Sequence, residues 1–213
     1  MRTTLDESAN SHSDEVLDKA AAYAASRKGT AGPSGDQAAD LVRCYYRHVP
    51  PDDLTERSEV DLYGAAVSQY KLASYRPQGT ANIRVFTPTV AEHGWSADGH
   101  TVVEVVTDDM PFLVDSVTML LNEENREVHL VVHPQILVRR DVAGQLQEVF
   151  TDLSMSERVD RTDGTVDVGK SHDILRESWM HIEIGRESSP AAREEIQAEL
   201  AKVLLDVREA VED

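Results

Sequence analysis

The chain has 213 residues, enough for one full domain and a smaller companion, with an apolar share ordinary for a globular protein. A formal charge of −18, with Lys and Arg scattered rather than clustered, excludes nucleic acid and anionic membrane surfaces as partners. The single cysteine, Cys44, cannot form an internal disulfide, and no signal-like or membrane-length apolar run is visible, so a reducing, cytoplasmic setting is expected.

In chain order, residues 1–13 are expected to be a flexible N-terminus. Asp14 to Lys28 is alanine-rich and reads as a helix, with Ser13 as its N-cap and Gly29 as its stop. Gly32-Pro-Ser-Gly35 breaks the chain. Asp36 to Val49 places Ala38, Leu41, Val42, Tyr45, Tyr46 and Val49 on one helical stripe, which Pro50-Pro51 ends. Ser58 caps a third helix reaching Tyr75, with Leu62, Ala65, Ala66, Gln69, Tyr70 and Ala73 along one side. Residues 14–79 are therefore expected to be a small helical subdomain whose stripes bury together or against the C-terminal part of the chain. Cys44 falls within it as a buried, inert thiol.

From Asn82 the period changes, and residues 80–213 read as a second unit. Ile83–Phe86 alternates as a short edge strand, and 93–99 is a loop. His100–Thr107 is a strand and Met110–Arg126 a helix. Val128 to Arg139 is a long strand with a bend expected at Pro134. Asp141-Val-Ala-Gly144 turns it into a return strand over 146–153. Residues 154–176 are polar, with Asp163-Gly164 able to turn a second small hairpin. Ser178–Ile184 is a further strand. Ser189-Pro190 opens a last helix whose stripe is Ile196, Leu200, Val203, Val207 and Ala210. The order strand, helix, strand, strand, strand, helix defines an α+β fold: a mainly antiparallel sheet with helices on one face.

Recognisable catalytic apparatus is missing. No G-x-G-x-x-G, P-loop, G-x-S-x-G or C-x-x-C occurs, so the usual cradle for a dinucleotide is absent. His129 and His133 have the spacing of a helical zinc pair, but on a strand four residues separate them by about 13 Å. Bonds of about 2 Å to one ion cannot bridge that gap. A shared lining role on one sheet face stays open for the pair. Asp160–Asp167 superficially resembles a calcium loop, yet alignment on Gly164 puts Val159 and Arg161 at ligand positions, so a turn is the better reading. Trp179, beside Glu177 and His181, reads as an aromatic packing residue among polar positions.

The informative corner is Asp108-Asp-Met-Pro-Phe-Leu113, where a β-branched strand runs into a helix. Asp109 is placed to cap that helix, with Pro111 in its first turn and Phe112 and Leu113 packing. Backbone amides at such a junction hold small carboxylates, and Asp108 is then positioned to meet an ammonium. Asp108, Asp109, Met110, Pro111, Phe112, Leu113 and His133 are the candidate ligand or interface residues, with no catalytic, cofactor or metal residue expected.

Several segments resemble the N-terminal end of the large bacterial NAD-specific glutamate dehydrogenases, especially the actinobacterial type. They are Tyr45-Tyr-Arg-His-Val49, Asp61-Leu-Tyr-Gly-Ala65, Asn82-Ile-Arg-Val-Phe86, Gly94-Trp-Ser96, His100 to Ser116 and His129-Leu-Val-Val-His-Pro-Gln135. The resemblance spans roughly residues 40 to 210. It implies the first of several ACT-like regulatory domains, ferredoxin-like in fold, with a helical prefix. The glutamate dehydrogenase core and its NAD would then lie in downstream domains of the same chain. It further implies an oligomeric parent and an amino-acid effector at the loop that maps to Asp108–Leu113. An ordinary ACT unit runs strand-helix-strand-strand-helix-strand. Here the strand at 178–184 precedes the last helix, so the fourth strand either comes early or is completed by Ile83–Phe86. The expected role is regulation or assembly without catalysis; the alternative is a purely structural oligomerisation module.

Overall fold

The computed structural model describes residues 3–27, 32–123, 126–151 and 174–212. The helical prefix comprises α1 (Thr3–Ser26), α2 (Asp36–Tyr45), a 3-10 turn (Pro51–Leu54) and α3 (Glu59–Ala73). After it come β1 (Asn82–Phe86), α4 (Val90–His93), β2 (Thr101–Asp108), α5 (Leu113–Glu123), β3 (Val128–Val132), β4 (Gln135–Arg140), β5 (Leu146–Phe150), β6 (Ile174–Ile184) and α6 (Pro190–Glu212).

The sheet is organised around β6. On one side it pairs antiparallel with all of β2, from Thr101 opposite Ile184 to Asp108 opposite Glu177. On its other side β3 pairs with one end and β4 with the other. These two are the single long strand expected over 128–139, broken at His133-Pro134 as the proline required. Proline has no N–H to give the ladder, but the Pro134 carbonyl still accepts from Trp179 N at 3.1 Å. The order is β1-β2-β6-β4-β5. Strands β2 and β3/β4 therefore run the same way on either side of β6, with α5 as their crossover. At the edge, β1 lies antiparallel to β2 from Asn82/Val106 to Phe86/Val102. Residues 82–86 thus occupy the fourth-strand place of an ACT-like unit, supplied from before the first strand instead of after the last helix.

Both faces of the central strands are covered. Val103, Val105, Met180 and Ile182 meet α5 through Leu113, Val117 and Leu121, and α6 through Ile196 and Leu200. The opposite face sends Val106, Leu130, Val132, Ile136, Val138 and Trp179 into the helical prefix, against Leu41, Val42, Tyr45, Leu62 and Ala66. Helices α5 and α6 thus take the one face expected for an α+β sandwich, and the prefix shares its core with the other. The β-branched run of β2 suits a strand buried on both sides.

Several element bounds differ from the sequence reading. Helix α1 begins at Thr3, not Asp14, and Gly29 lies outside the described residues. Helix α2 ends at Tyr45. Strand β6 starts at Ile174 rather than Ser178, because strand pairing to β4 extends it into a polar stretch. The first residue of the loop expected over 93–99 belongs to α4, a single turn that Thr89 caps and Gly94 ends at φ 79°. On α6, Leu204 is buried while Ala210 faces outward, so the inward stripe is Ile196, Leu200, Leu204 and Val207. Ser58 caps α3 as expected, accepting from Asp61 N at 3.1 Å. The Asp163-Gly164 turn and the calcium-like segment fall outside the described residues.

Trp95, buried after α4, packs closely against Gly64 of α3; a Cβ added at Gly64 would stand 2.3 Å from the Trp95 Cβ and Cγ. No shift of a flexible tip relieves that overlap. Gly64→Ala should lower unfolding stability by about 1–3 kcal/mol in urea titrations, despite alanine's better helix propensity.

Candidate functional site

The corner after β2 is built by charge. Asp108 ends the strand, and its Oδ1 accepts from Arg76 Nη2 at 2.7 Å. Its Oδ2 accepts from Arg208 Nη2 at 3.0 Å and from Gly79 N at 3.0 Å. Burial pushes this carboxyl up, but the two guanidiniums and the amide prevail and hold it below its ordinary value. Both oxygens are committed to the fold, so Asp108 is not a vacant acceptor for an ammonium. Arg76 is fully buried and continues inward. Its Nε donates to Glu177 Oε1 at 2.9 Å, and Nη1 to the Thr80 carbonyl at 2.8 Å. Arg140 approaches the same carboxylate from β4, Nη2 to Oε2 at 2.9 Å, while Trp179 Nε1 donates to Oε2 at 3.0 Å. The chain Arg208–Asp108–Arg76–Glu177–Arg140 ties α6, β2, the α3–β1 connection, β6 and β4 together.

Beyond Asp108 the backbone differs from expectation. Asp109 does not cap the helix: its N donates to the Arg176 carbonyl at 3.1 Å, and its Oδ1 accepts from Gln135 Nε2 at 3.2 Å. Met110 is partly packed, Pro111 and Phe112 are exposed, and α5 starts only at Leu113, which is buried. The N-cap position belongs to Phe112, whose carbonyl accepts from Ser116 N at 2.9 Å. Phe112 holds φ 68° and is 69% exposed. An aromatic residue with positive φ is a backbone outlier costing about 1–2 kcal/mol, and here no burial of its ring offsets that cost.

Phe112 stands at one end of a groove between the outer faces of α5 and α6. The groove has a volume of about 400 Å³ and an apolar floor of Phe112, Met119, Leu120, Val203, Val207 and Ala210, with Glu123 and Asp206 on its rim. Met119 is 59% exposed. A lining of this kind suits apolar side chains of another protein surface and offers a zwitterion almost nothing.

The histidine pair is separated by the break in the strand. His129 stacks on His100 with ring centroids 4.1 Å apart, whereas His133 follows the end of β3 and contacts the Ser178 hydroxyl. A shared lining is not what these neighbours give. Burial, with His48 nearby, lowers the His133 pKa and keeps the ring neutral at neutral pH. Among the described residues no three His, Cys, Asp or Glu groups are arranged to hold a metal ion. Trp179 is a packing residue, as expected, with Tyr70 edge-on to it. Cys44 is buried, and burial raises its thiol pKa against the opposing charge of Arg47.

A second charged cluster lies farther along β6. Glu183 is buried and accepts from Arg57 Nη2 at 2.8 Å and lies 3.3 Å from His181 Nε2. Burial drives its carboxyl up; the hydrogen bonds and charges of His181 and Arg57 overcome this and hold it at about 2. Sequence reasoning passed over Arg57, Arg76, Arg140 and Glu183. Their signal was present: charged residues interrupting β-branched strands, matched in number by arginines at element ends.

The strand order β1-β2-β6-β4-β5, with α5 and α6 packed on one face, defines an ACT-like α+β domain. A family profile described as "Glutamate dehydrogenase, ACT1 domain" matches residues 41–200. The chain belongs to that family, and it is an ACT1 domain rather than a catalytic core. It is 37% identical over 181 residues to an NAD-specific glutamate dehydrogenase of Halomonas elongata, covering 84% of this chain and 10% of that protein. Identity to the NAD-specific glutamate dehydrogenase of Pseudomonas aeruginosa is 31% over 183 residues, with the same coverage. The chain therefore spans about a tenth of the length of these relatives. No solved structure matches it significantly. Among the described residues no helix is long and apolar enough to cross a membrane.

Removing one member of a fully buried cluster exposes the others to an uncompensated charge. Glu177→Ala, which strands Arg76 and Arg140, should cost about 3–5 kcal/mol by chemical denaturation; a loss below about 1 kcal/mol would mean that water reaches the pair. For Glu183 the folded carboxyl titrates below its ordinary 4.5. Its contribution, on the order of 3 kcal/mol, is therefore complete above that pH and drains away as pH falls toward about 2. The stability gap between wild type and Glu183→Gln should close across this acid range. A gap that stays constant with pH would refute the assignment.

Proposed function

We propose that the chain is a non-catalytic regulatory and assembly domain of a large NAD-dependent glutamate dehydrogenase. In that parent, oxidation of L-glutamate to 2-oxoglutarate and ammonium, with NAD bound, takes place in downstream domains. The groove between α5 and α6 carries this reading. It is apolar, open, and bordered by the strained and exposed Phe112. Its occupant in this reading is another domain of the same polypeptide, since about nine-tenths of the relatives' length lies outside the matched region. Acidic groups on the rim and a net charge of −18 favour an apolar contact patch flanked by Lys or Arg.

A second reading keeps an amino-acid effector at residues 108–113. Its support is the resemblance and the exposure of Pro111 and Phe112; the engagement of Asp108 weighs against it. Calorimetry with L-amino acids at millimolar concentration on the 213-residue chain separates the two, since docking alone produces no heat.

Phe112→Gly and Met119→Lys test the groove. The first relieves the backbone and should leave the chain as stable as before, or up to about 1 kcal/mol more stable. The second should change stability by less than about 0.5 kcal/mol. In the full-length enzyme, both should weaken domain association, with Met119→Lys shifting the sedimentation profile toward looser or smaller species. A full-length Met119→Lys protein that sediments and turns over like wild type would end the docking role.

A further inference from the structure

The structure assigns a second, unrelated site: we infer a binding cleft for a small dianion, carrying carboxylate or phosphate groups, between the end of α1, the outer face of α3, β1 and α4. The cleft has a volume of about 360 Å³, within the size range of small-molecule sites. Arg27, Lys71 and Arg84 all line it, against the single carboxylate of Glu92. That balance inverts the character of a chain whose net charge is −18.

The three cations are not equivalent. Arg84 is preorganised. Its Nε donates to the buried Glu104 Oε2 at 3.0 Å, its Nη2 reaches Glu104 and the Ser68 hydroxyl, and its Cζ lies 4.1 Å over the Phe86 ring. These contacts fix the guanidinium plane and leave Nη1 with no hydrogen bond among the described residues. Glu104 offsets the Arg84 charge, so Arg84 supplies direction, and the surplus charge comes from the other two. Arg27 and Lys71 make no ion pair among the described residues, although acidic side chains outnumber basic ones by 39 to 21. Arg27 lies with its Cζ 5.6 Å from the Tyr23 ring centre, and Tyr23 packs edge-on against Tyr63 at 5.6 Å. The far wall is rigid, because Trp95 is pressed on Gly64. A planar carboxylate or a phosphate seated on the Arg84 Nη1–H, with its second charge between Lys71 and Arg27, satisfies all three.

This site is independent of the docking role, and its test reads out separately. Succinate and inorganic pyrophosphate are titrated calorimetrically into the 213-residue chain at low salt, and into Lys71→Ala, Arg27→Ala and the double variant. Neither substituted side chain is buried or ion-paired among the described residues, so the thermal melt should be unchanged and certifies the fold. The expected result is binding that weakens at least tenfold in the double variant and falls with added sodium chloride. Tighter binding of succinate assigns a dicarboxylate, tighter binding of pyrophosphate a phosphate ligand, and either supports the site. No binding of either anion at millimolar concentration, or equal affinity in wild type and double variant, overturns it.

Discussion

The carboxylate of Glu177, clamped between Arg76 and Arg140, is the interaction on which the architecture rests. It lies near the centre of the sheet, on the strand that every other strand except β1 and β5 contacts directly. Taking three charges out of water costs several kcal/mol for each ion, and only complete hydrogen bonding offsets it. Here both carboxylate oxygens are used, and Trp179 Nε1 adds a third donor residue beside the two arginines. The geometry allows one docking position for the α3–β1 connection, because Arg76 must reach Glu177 and Asp108 together. An apolar contact of equal area would stabilise that connection while tolerating several registers. The ions define one register, and through Arg208 they set α6 on the opposite side of the sheet as well.

Periodicity made most of the elements legible. The capping serine at 58, Pro190 in its first-turn place and the bend at Pro134 are local chemistry, and each is found where its residue type requires. The features that escaped the reading depended on distant partners. Strand β6 grows backward into a polar stretch because β4 is there to receive it. Helix α5 starts late because Asp109 is drawn to Gln135 and the Arg176 carbonyl, which are neighbours only in the folded chain. The displacement of the fourth strand to the front was legible only as an alternative, since five residues cannot declare which sheet edge they will join. At the candidate corner the strand-to-helix junction was legible, but the hydrogen-bond partners of its aspartates were not. Asp108 looked available because Arg76 and Arg208 are far from it in sequence.

Cover on both faces of the sheet restricts where such a domain can act. An antiparallel sheet with helices on one face leaves the other to water or to a partner. Here the prefix helices take that second face and join its core, so the sheet surface is spent on the domain's own stability. The flanks of the helices remain, and the two clefts lie there, one apolar and one cationic, on opposite layers.

The strain at Phe112 distinguishes these two surfaces. A surface that only seals a fold has no reason to hold a bulky exposed side chain at positive φ, where glycine or asparagine serves better. Ring burial by a partner would offset the backbone cost, since covering an aromatic side chain contributes about 1.5–3 kcal/mol. Met119, exposed along the same wall, adds an adaptable thioether to that face. The cationic cleft is of the opposite kind: its arginine is held in place by Glu104, Ser68 and Phe86 before any ligand arrives, and nothing in it is strained. A surface that becomes stable on contact suits a neighbouring domain, and a surface already ordered suits a small solute.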